Sequence, residues 1–278
     1  MVTNGNISFE EMKDKIFCED CLVGMKRIPD GSVDAIICDL PYGTTECEWD
    51  SIIPLDKLWE QYDRVLKSNG TAVLFAQQPF TSMLVCSRIE LFRHSITWIK
   101  DKCANFLAAR YTPMKYTEDM IVFSKGNFTH NATIKATYNP QMRILDYDVD
   151  ASNHKTTTKE NCASVNTILP RPSNKTMVLH AYKKEDNTQF PKNYIYSTVP
   201  PRSERWHPTQ KPVDLLRYLV LTYTNEGDTV LDNCSGSGTT AVACMKEKRH
   251  FICFEKDETY WKKSVERVKN EQRQLTLF

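Results

Sequence analysis

The sequence contains no long apolar run and no recognisable export segment. No stretch approaches the roughly 20 consecutive apolar residues that a membrane-spanning helix needs. The first residues, MVTNGNISFEEMKDK, lack the apolar centre and the small-residue cleavage site of a secretory signal. Hydrophobic residues make up 41% of the 278 residues and charged residues 26%, as is typical of globular proteins. We therefore expect a cytoplasmic protein with no membrane partner.

The cysteine pattern argues against both a disulfide framework and a structural metal site. The chain has ten cysteines but no export signal, which is typical of free thiols in a reducing compartment. Cys18 and Cys21 form one Cys-x-x-Cys pair, and no second pair follows at the spacing of a zinc finger. We expect small buried thiols and no bound metal.

Formal charge is balanced over the whole chain but not along it. The net charge is +1, yet the segment 127–211 contains twelve basic and seven acidic side chains, a net charge of +5. Local positive charge fits a polyanionic partner such as a nucleic acid, although a solvated loop surface would explain any single lysine or arginine equally well. The candidates for phosphate or base contacts are Lys135, Arg143, Lys155, Arg171, Lys175, Lys183, Lys184 and Arg202.

Strand-like and helix-like patterns alternate at both ends of the chain. The alternation predicts an α/β fold with a mostly parallel twisted sheet and helices on both faces. The segment 127–206 is instead rich in Asn, Thr, Lys and Pro and lacks a long apolar run. We expect one domain formed by residues 1–126 and 207–278, interrupted by an irregular insert at 127–206. The first strand-like runs are 32–39, 70–77, 94–100 and 118–125, and the first helix-like patterns are 54–70 and 79–92.

A strand that reads as buried ends on a carboxylate in the segment IICDLPY. Asp39 follows the apolar run, Pro41 fixes the backbone direction, and Tyr42 stands just beyond it. Leu40 precedes a proline and is therefore restricted to extended backbone. A carboxylate and a tyrosine held at a strand end are costly in a structural loop and useful in an active site. Asp39, Leu40, Pro41 and Tyr42 are therefore candidate catalytic residues.

A second candidate site is the loop in TVLDNCSGSGTT. Glycines allow the backbone to approach a ligand closely, and the helix that follows presents free N–H groups at its start. The next strand-like run ends on Glu255, where nucleotide sites place an acid that binds ribose hydroxyls. A third glycine and a P-loop lysine are both missing, which favours an adenosine-like ligand without a polyphosphate; an ordinary βα turn is the alternative. The candidate ligand-binding residues are Asp232, Ser235, Gly236, Gly238, Thr239 and Glu255.

The two motifs together resemble the amino-methylating DNA methyltransferases, which use S-adenosylmethionine. Because Asp39-Leu40-Pro41-Tyr42 precedes the glycine loop, the order resembles the β group of that family, with the target-recognition region between the motifs. The segments FCEDCLVGMKRIPDGSVDAIICDLPYG and WHPTQKPVDLLRYLV are also similar to blocks of the family. The resemblance covers about residues 15–125 and 205–265, and it implies a Rossmann-like methyltransferase fold.

The resemblance implies how the strand-end motif would act. The Asp39 carboxylate and the Leu40 carbonyl would accept hydrogen bonds from the target amino group, and Tyr42 would stack on a base flipped out of the duplex. The family more often has proline in place of Leu40, but leucine offers the same carbonyl. Tyr111 or Tyr116 could close the second face of the base, and either could equally lie in the core.

The resemblance also implies a cofactor and partners. Asp20 would lie near the adenine of S-adenosylmethionine and Lys211, within HPTQKP, near its methionine end. Duplex DNA would contact the insert 127–206 and the loop 43–54, which we expect to be mobile without DNA. A homodimer and a cognate restriction endonuclease are further partners that the family suggests.

Adenine N6 is the target that Asp39 favours, and other substrates stay open. The N4-cytosine members of the family use the same pair of acceptors and tend to have serine at the position of Asp39. RNA and protein amino methyltransferases carry related motifs. C5-cytosine methylation needs a nucleophilic cysteine, which the C5 family carries in a Pro-Cys dipeptide, and none of the 13 prolines here is followed by cysteine. A nucleic-acid-binding protein with a decayed cofactor site is a further alternative, although both motifs are intact.

Overall fold

A computed structural model of the protein describes residues 7–43, 51–103, 105–144 and 188–275. Its strands are β1 (Lys15–Cys18), β2 (Val33–Asp39), β3 (Leu66–Ala76), β4 (Phe92–Ile99), β5 (Thr117–Ser124), β6 (Arg143–Ile144), β7 (Thr188–Gln189), β8 (Tyr194–Tyr196), β9 (Thr229–Asp232) and β10 (His250–Glu255). Its helices are α1 (Phe9–Met12), α2 (Cys21–Gly24), α3 (Leu55–Val65), α4 (Phe80–Ser87), α5 (Val213–Tyr223), α6 (Thr239–Lys246) and α7 (Glu258–Leu275).

Eight strands form one sheet in the order β1-β10-β9-β2-β3-β5-β4-β8. Neighbouring strands run parallel except around β5, which is antiparallel to both β3 and β4. The prediction of a mostly parallel sheet is therefore confirmed. The direction of β5 has a consequence for the site, because its first residues lie at the edge where the parallel strands end.

Helices cover both faces of the sheet. One core contains apolar side chains of α3 and α4, such as Leu58 and Leu84, and the other contains side chains of α5 and α6, such as Leu219 and Val242. Alternate residues of β2 face the two cores, with Ile36 in the first and Ile37 in the second. A strand buried on both sides reads as a continuous apolar run, which explains the sequence before Asp39.

Two predicted helices are shorter than the sequence pattern indicates. The pattern at 54–70 ends as a helix at Val65, and β3 begins at the next residue. Gly70 does not end a helix; it lies within β3, where an added Cβ would come within 2.9 Å of the Asp34 carbonyl oxygen. The residue is glycine because two strands approach closely there. The second pattern, 79–92, ends as a helix at Ser87.

The chain changes direction across the sheet between β2 and β9. From β2 the chain continues through α3 to β3 on one side, and from β9 it continues through α6 to β10 on the other. In an open α/β sheet, ligands bind beyond the carboxyl ends of the strands at such a switch point. Asp39 ends β2 and Asp232 ends β9, so both candidate motifs lie at this point.

The chain divides into two compact units, residues 1–140 with 192–278 and residues 141–191. In the described part of the smaller unit, β6 pairs antiparallel with β7. The segments 127–140 and 192–206, assigned above to the insert, belong to the larger unit, where β8 pairs with β4. A recognition role for 127–206 stays a prediction. Five of its candidate basic residues lie outside the described residues: Lys155, Arg171, Lys175, Lys183 and Lys184.

Candidate active site

The end of β2 forms one wall of a cavity of about 560 Å³. Asp39 is the last residue of the strand, and Leu40 directly beyond it is buried. The Tyr42 hydroxyl lies 2.7 Å from Asp39 Oδ1 and 2.9 Å from Glu118 Oε1. Burial and the two neighbouring carboxylates raise the pKa of Tyr42 well above its ordinary value. Tyr42 is therefore neutral, and its hydroxyl group is a hydrogen-bond donor to these carboxylates.

Packing fixes the orientation of the Tyr42 ring. The ring stacks on Phe80, the first residue of α4, with centroids 5.5 Å apart and planes at 27°. Phe80 is itself buried. The side chains of Tyr111 and Tyr116, considered above for the second face of a base, are exposed and do not line the cavity. Phe80 is therefore the aromatic partner of Tyr42 in this structure.

Two lysines and two carboxylates form a charged network beside the end of β2. Lys211 Nζ lies 2.7 Å from Asp39 Oδ2 and 2.8 Å from Glu118 Oε1. Lys100 Nζ lies 2.7 Å from Glu118 Oε2. Three of these side chains are at most 11% exposed, whereas Asp39, at 22%, faces the cavity. Because the charges balance, the network can be buried without an uncompensated ion.

The pKa values of the network differ between its two carboxylates. Burial alone would raise the pKa of Glu118, but Lys211 and Lys100 outweigh burial and hold the pKa at about 2. Burial raises the pKa of Asp39, Lys211 opposes that shift, and Glu118 adds to it. Burial would lower the pKa of Lys211, but Asp39 and Glu118 raise it above its ordinary value. As the pH falls, Asp39 is therefore the first of the two carboxylates to take up a proton.

The loop between β9 and α6 contains two glycines in left-handed conformations. Gly236 has φ +50°, and an added Cβ would lie 3.2 Å from His207 Cε1. Gly238 has φ +71°, and its added Cβ would lie 3.1 Å from Ser264 Cβ on α7. Both positions therefore require glycine for backbone conformation and for space. Gly236 keeps the loop open at the cavity, whereas Gly238 lets α7 approach the start of α6.

Carboxylates hold this loop in place. Glu255 Oε2 accepts a hydrogen bond from the Gly236 N–H at 2.7 Å, and its Oε1 accepts one from the Asp257 N–H at 2.8 Å. Asp232 Oδ1 accepts a hydrogen bond from the Cys234 N–H at 3.1 Å. Burial raises the pKa of Asp232 to about 6. Glu255 thus ties the end of β10 to the glycine loop across the cavity.

The cavity joins the two motifs. Asp39 and Glu255 both line it, although they come from opposite ends of the chain. Asp20 lines it from the start of α2, where its Oδ1 accepts a hydrogen bond from the Leu22 N–H at 2.9 Å. The candidate residues that line the cavity are Asp20, Asp39, Leu40, Pro41, Tyr42, Lys211, Asp232, Ser235, Gly236, Thr239 and Glu255. Gly238 is the one candidate outside this lining.

Glu118 and Lys100 were not among the residues predicted from the sequence. The signal that the sequence contains is a carboxylate near the start of an apolar strand, and in the structure the Glu118 side chain is 6% exposed. The signal is readable only if β5 is antiparallel, because a parallel β5 would begin at the opposite edge of the sheet. His207 begins the segment HPTQKP, which the family resemblance places near the methionine end of the cofactor. Its ring lies 4.3 Å from that of Tyr260, and both residues line the cavity.

The loop 43–54 is described only in part. Residues 44–50 lie outside the described residues, so the expected mobility of this loop is untested. Residues 51–54 line the cavity. Within the described ranges, no group of three or more His, Cys, Asp or Glu residues is arranged to hold a metal ion. No helix among those residues is both long and apolar enough to span a membrane.

Solved structures of DNA methyltransferases share this fold. The crystal structure of the M1.HpyAVI complex with S-adenosylmethionine has a TM-score of 0.57 and 22% identity, covering 91% of this chain and 98% of that one. The cytosine-N4-specific PvuII DNA methyltransferase has a TM-score of 0.60 and 13% identity, covering 92% and 90%. These likenesses confirm the Rossmann-like methyltransferase fold.

Sequence relatives cover most of the chain. The DNA adenine methyltransferase YhdJ of Escherichia coli K12 is 28% identical in an alignment of 266 residues that covers 90% of this chain and 80% of that protein. The type II methyltransferase M.HpaI of Haemophilus parainfluenzae is 25% identical in an alignment of 276 residues that covers 94% of this chain and 76% of that protein. A family model described as DNA methylase, of the N6/N4 methyltransferase type, matches residues 33–266. The chain belongs to this family of N6/N4 DNA methylases.

Proposed function

We propose that this protein transfers the methyl group of S-adenosylmethionine to the N6 amino group of adenine in DNA. The observation that carries the proposal is that Asp39 and Glu255 line one cavity. An acceptor for an amino group and an acid suited to a ribose thus face the same space. The relative YhdJ, which is named a DNA adenine methyltransferase, favours adenine over cytosine, as does the aspartate at position 39.

The cavity fits a nucleoside that carries an amino-acid chain. Its volume of about 560 Å³ lies within the roughly 300–1,000 Å³ range of small-molecule sites. The Glu255 carboxylate has acceptor sites left after its two backbone hydrogen bonds, so ribose hydroxyls can donate to it. Gly236 leaves the wall open at the loop, where a side chain would meet His207. When bound, S-adenosylmethionine supplies an electrophilic methyl group on a sulfonium.

The residues at the end of β2 supply orientation and charge. Adenine N6 is a poor nucleophile because its lone pair is delocalised into the ring. The Asp39 carboxylate and the Leu40 carbonyl would accept hydrogen bonds from its two N–H groups. This favours tetrahedral geometry at N6 and stabilises the positive charge that develops there. Tyr42 would stack on the base, and Phe80 holds the tyrosine ring in position. Displacement in line with the sulfonium then depends on alignment more than on proton transfer.

DNA is the substrate that the family implies, and its finer interactions are proposals. The insert 127–206 and the loop 43–54 would contact the duplex, supported by the excess of basic residues in the insert. A homodimer and a cognate restriction endonuclease are proposed from the family resemblance alone. A cytoplasmic location is proposed from the free thiols, since described cysteines such as Cys38 and Cys244 are unpaired.

Product analysis tests the function directly. The protein is incubated with methyl-labelled S-adenosylmethionine and with DNA from cells that lack adenine and cytosine methylation. The DNA is then digested to nucleosides, which are separated and counted. Label in N6-methyl-2′-deoxyadenosine is the expected result. Label in N4-methyl-2′-deoxycytidine would instead show that the same acceptors act on the amino group of cytosine. RNA and protein are incubated in parallel, and label in either of them with none in DNA would refute the proposal.

A further inference from the structure

The ammonium group of Lys211 forms a hydrogen bond with the Asp39 carboxylate, which is the proposed acceptor for the target amino group. Its Nζ lies 2.7 Å from Asp39 Oδ2, and Asp39 Oδ1 accepts the Tyr42 hydroxyl proton. Both oxygens of the carboxylate are therefore engaged before any base arrives. The carboxylate keeps further acceptor sites, but an ammonium that shares it competes with the target amino group for its negative charge. A shift of Lys211 to another acceptor would leave more of that charge to the amino group, and the ammonium needs such an acceptor because an unpaired buried charge is costly.

We propose that Glu118 is the positioning residue that receives Lys211 and thereby frees Asp39 for the target amino group. This inference rests on the proposed function. Glu118 already lies 2.8 Å from Lys211 Nζ and 2.9 Å from the Tyr42 hydroxyl, so both donors that engage Asp39 have the same alternative acceptor. Because both donors already lie within hydrogen-bond distance of Glu118 Oε1, the exchange does not require the donors to reach a more distant acceptor.

The surroundings of Glu118 suit it to hold the ammonium. It is 6% exposed and stands on β5, a central strand, so its position is rigid. Lys100, 2.7 Å from Glu118 Oε2, fixes the carboxylate from the other side and leaves Oε1 directed at Lys211 and Tyr42. Glu118 stays charged throughout, because the two lysines outweigh burial and keep its pKa at about 2. Asp39, which faces the cavity, is the partner that can be exchanged.

Glu118→Gln tests the inference because glutamine keeps the shape and removes the charge. Of the two anionic partners of Lys211 among the described residues, Asp39 alone would then remain, and the target amino group would have to share the Asp39 charge with the ammonium. We expect kcat on unmethylated DNA to fall by about 10- to 100-fold, the factor that one hydrogen bond to a charged group contributes. The affinity for S-adenosylmethionine, measured by titration calorimetry, should stay unchanged. Asp119→Asn is the matched control, because that carboxylate accepts a hydrogen bond from Thr81 instead.

The pH profile separates this role from a structural one. The groups facing Asp39 are Lys211, Glu118 and Tyr42, with Asp232 on the neighbouring strand. Removing the Glu118 charge removes one cause that raises the pKa of Asp39, and it strengthens the pairing with Lys211. The acid limb of kcat should therefore move to lower pH in Glu118→Gln while the plateau falls. Glu118→Asp keeps the charge and should restore part of the plateau and the wild-type limb.

Three outcomes would overturn the inference. Turnover of Glu118→Gln equal to that of the wild type would show that Lys211 needs no second acceptor. A lower plateau with an unmoved acid limb, or equal losses in Glu118→Gln and Glu118→Asp, would indicate a structural role. If Glu118→Gln does not fold, as judged by circular dichroism, kcat of Glu118→Asp is compared with kcat of Asp119→Asn. Equal kcat values in these two variants would then overturn the inference. An inactive wild-type protein that still binds the cofactor would instead contradict the proposed function.

Discussion

Asp39→Ala is the substitution that tests the proposed chemistry most directly. The two donors that Asp39 accepts, Lys211 and the Tyr42 hydroxyl, both keep Glu118 as an acceptor, at 2.8 and 2.9 Å. The variant therefore leaves neither of these donors without an acceptor, although two lysines then share one carboxylate, so some loss of stability is expected. We expect the fold to be retained, so that a loss of activity can be attributed to the missing carboxylate.

The size of the loss follows from the role of Asp39. It is the charged one of the two acceptors proposed for the amino group. Removing one such preorganised group typically lowers kcat by about 100- to 1,000-fold, or about 2.7–4 kcal/mol of transition-state stabilisation. Because the hydrogen bond strengthens as positive charge develops, cofactor and DNA binding should change by no more than about twofold.

Glu255→Ala is the matched comparison, since both residues are strand-end carboxylates in the same cavity. Its removal should weaken cofactor affinity while leaving the acceptors at the end of β2 in place. Single-turnover transfer of labelled methyl groups measures the chemical step, and titration calorimetry measures cofactor binding. The reasoning fails if Asp39→Ala retains near-wild-type turnover, or if its activity loss is matched by an equal loss of cofactor affinity.

Three other perturbations have defined outcomes. Gly236→Ala should lower the free energy of unfolding in urea by more than Gly31→Ala does. Both glycines have positive φ, which costs about 1–2 kcal/mol for alanine, but only at Gly236 would the added Cβ also meet a neighbour, His207. Equal losses would mean that the loop has room for a side chain. Burial and Lys211 lower the pKa of His207 to about 4 from 6.5, so its neutral form stabilises the fold above pH 6.5. The stability difference between the wild type and His207→Gln should shrink as the pH falls from 6.5 to about 4, and a constant difference would contradict this burial. Neutralising Lys183 and Lys184 together should flatten the salt dependence of DNA binding, by about one slope unit for each phosphate that the protein no longer neutralises, and an unchanged slope would exclude both lysines from the interface.

Local sequence patterns were sufficient to predict that the ends of the parallel strands lie together at the candidate site. An apolar run ending on Asp39 marks a strand buried on both faces, and the glycine loop after Asp232 marks a strand-to-helix turn. Parallel strands present their carboxyl ends at one edge, so both motifs had to meet there. The placement of Asp39 and Glu255 at the same side of the sheet follows from that topology, since they end β2 and β10.

Other features depend on contacts between distant segments and were not predictable in the same way. The direction of β5 is set by its pairing with β3 and β4, which no local pattern in EDMIVFSK encodes. Without that direction, Glu118 has no reason to be placed beside Asp39. The early end of α3 has a similar origin, because Leu66 pairs with Val33 as the first residue of β3. In both cases sheet pairing decided the outcome over local propensity.

The position of Glu118 and Lys211 in the chain gives their ion pair a wider consequence. Glu118 lies on β5, shortly before the segment 127–206, and Lys211 lies shortly after that segment, ahead of α5. The two flanks of the proposed recognition region therefore meet at a buried ion pair, 2.8 Å long, that also contacts the proposed catalytic carboxylate. A displacement of either flank on DNA binding would change how Lys211 is divided between Glu118 and Asp39. Since that division sets how much of the Asp39 charge Lys211 shares, the exchange proposed for Glu118 would respond to the position of both flanks.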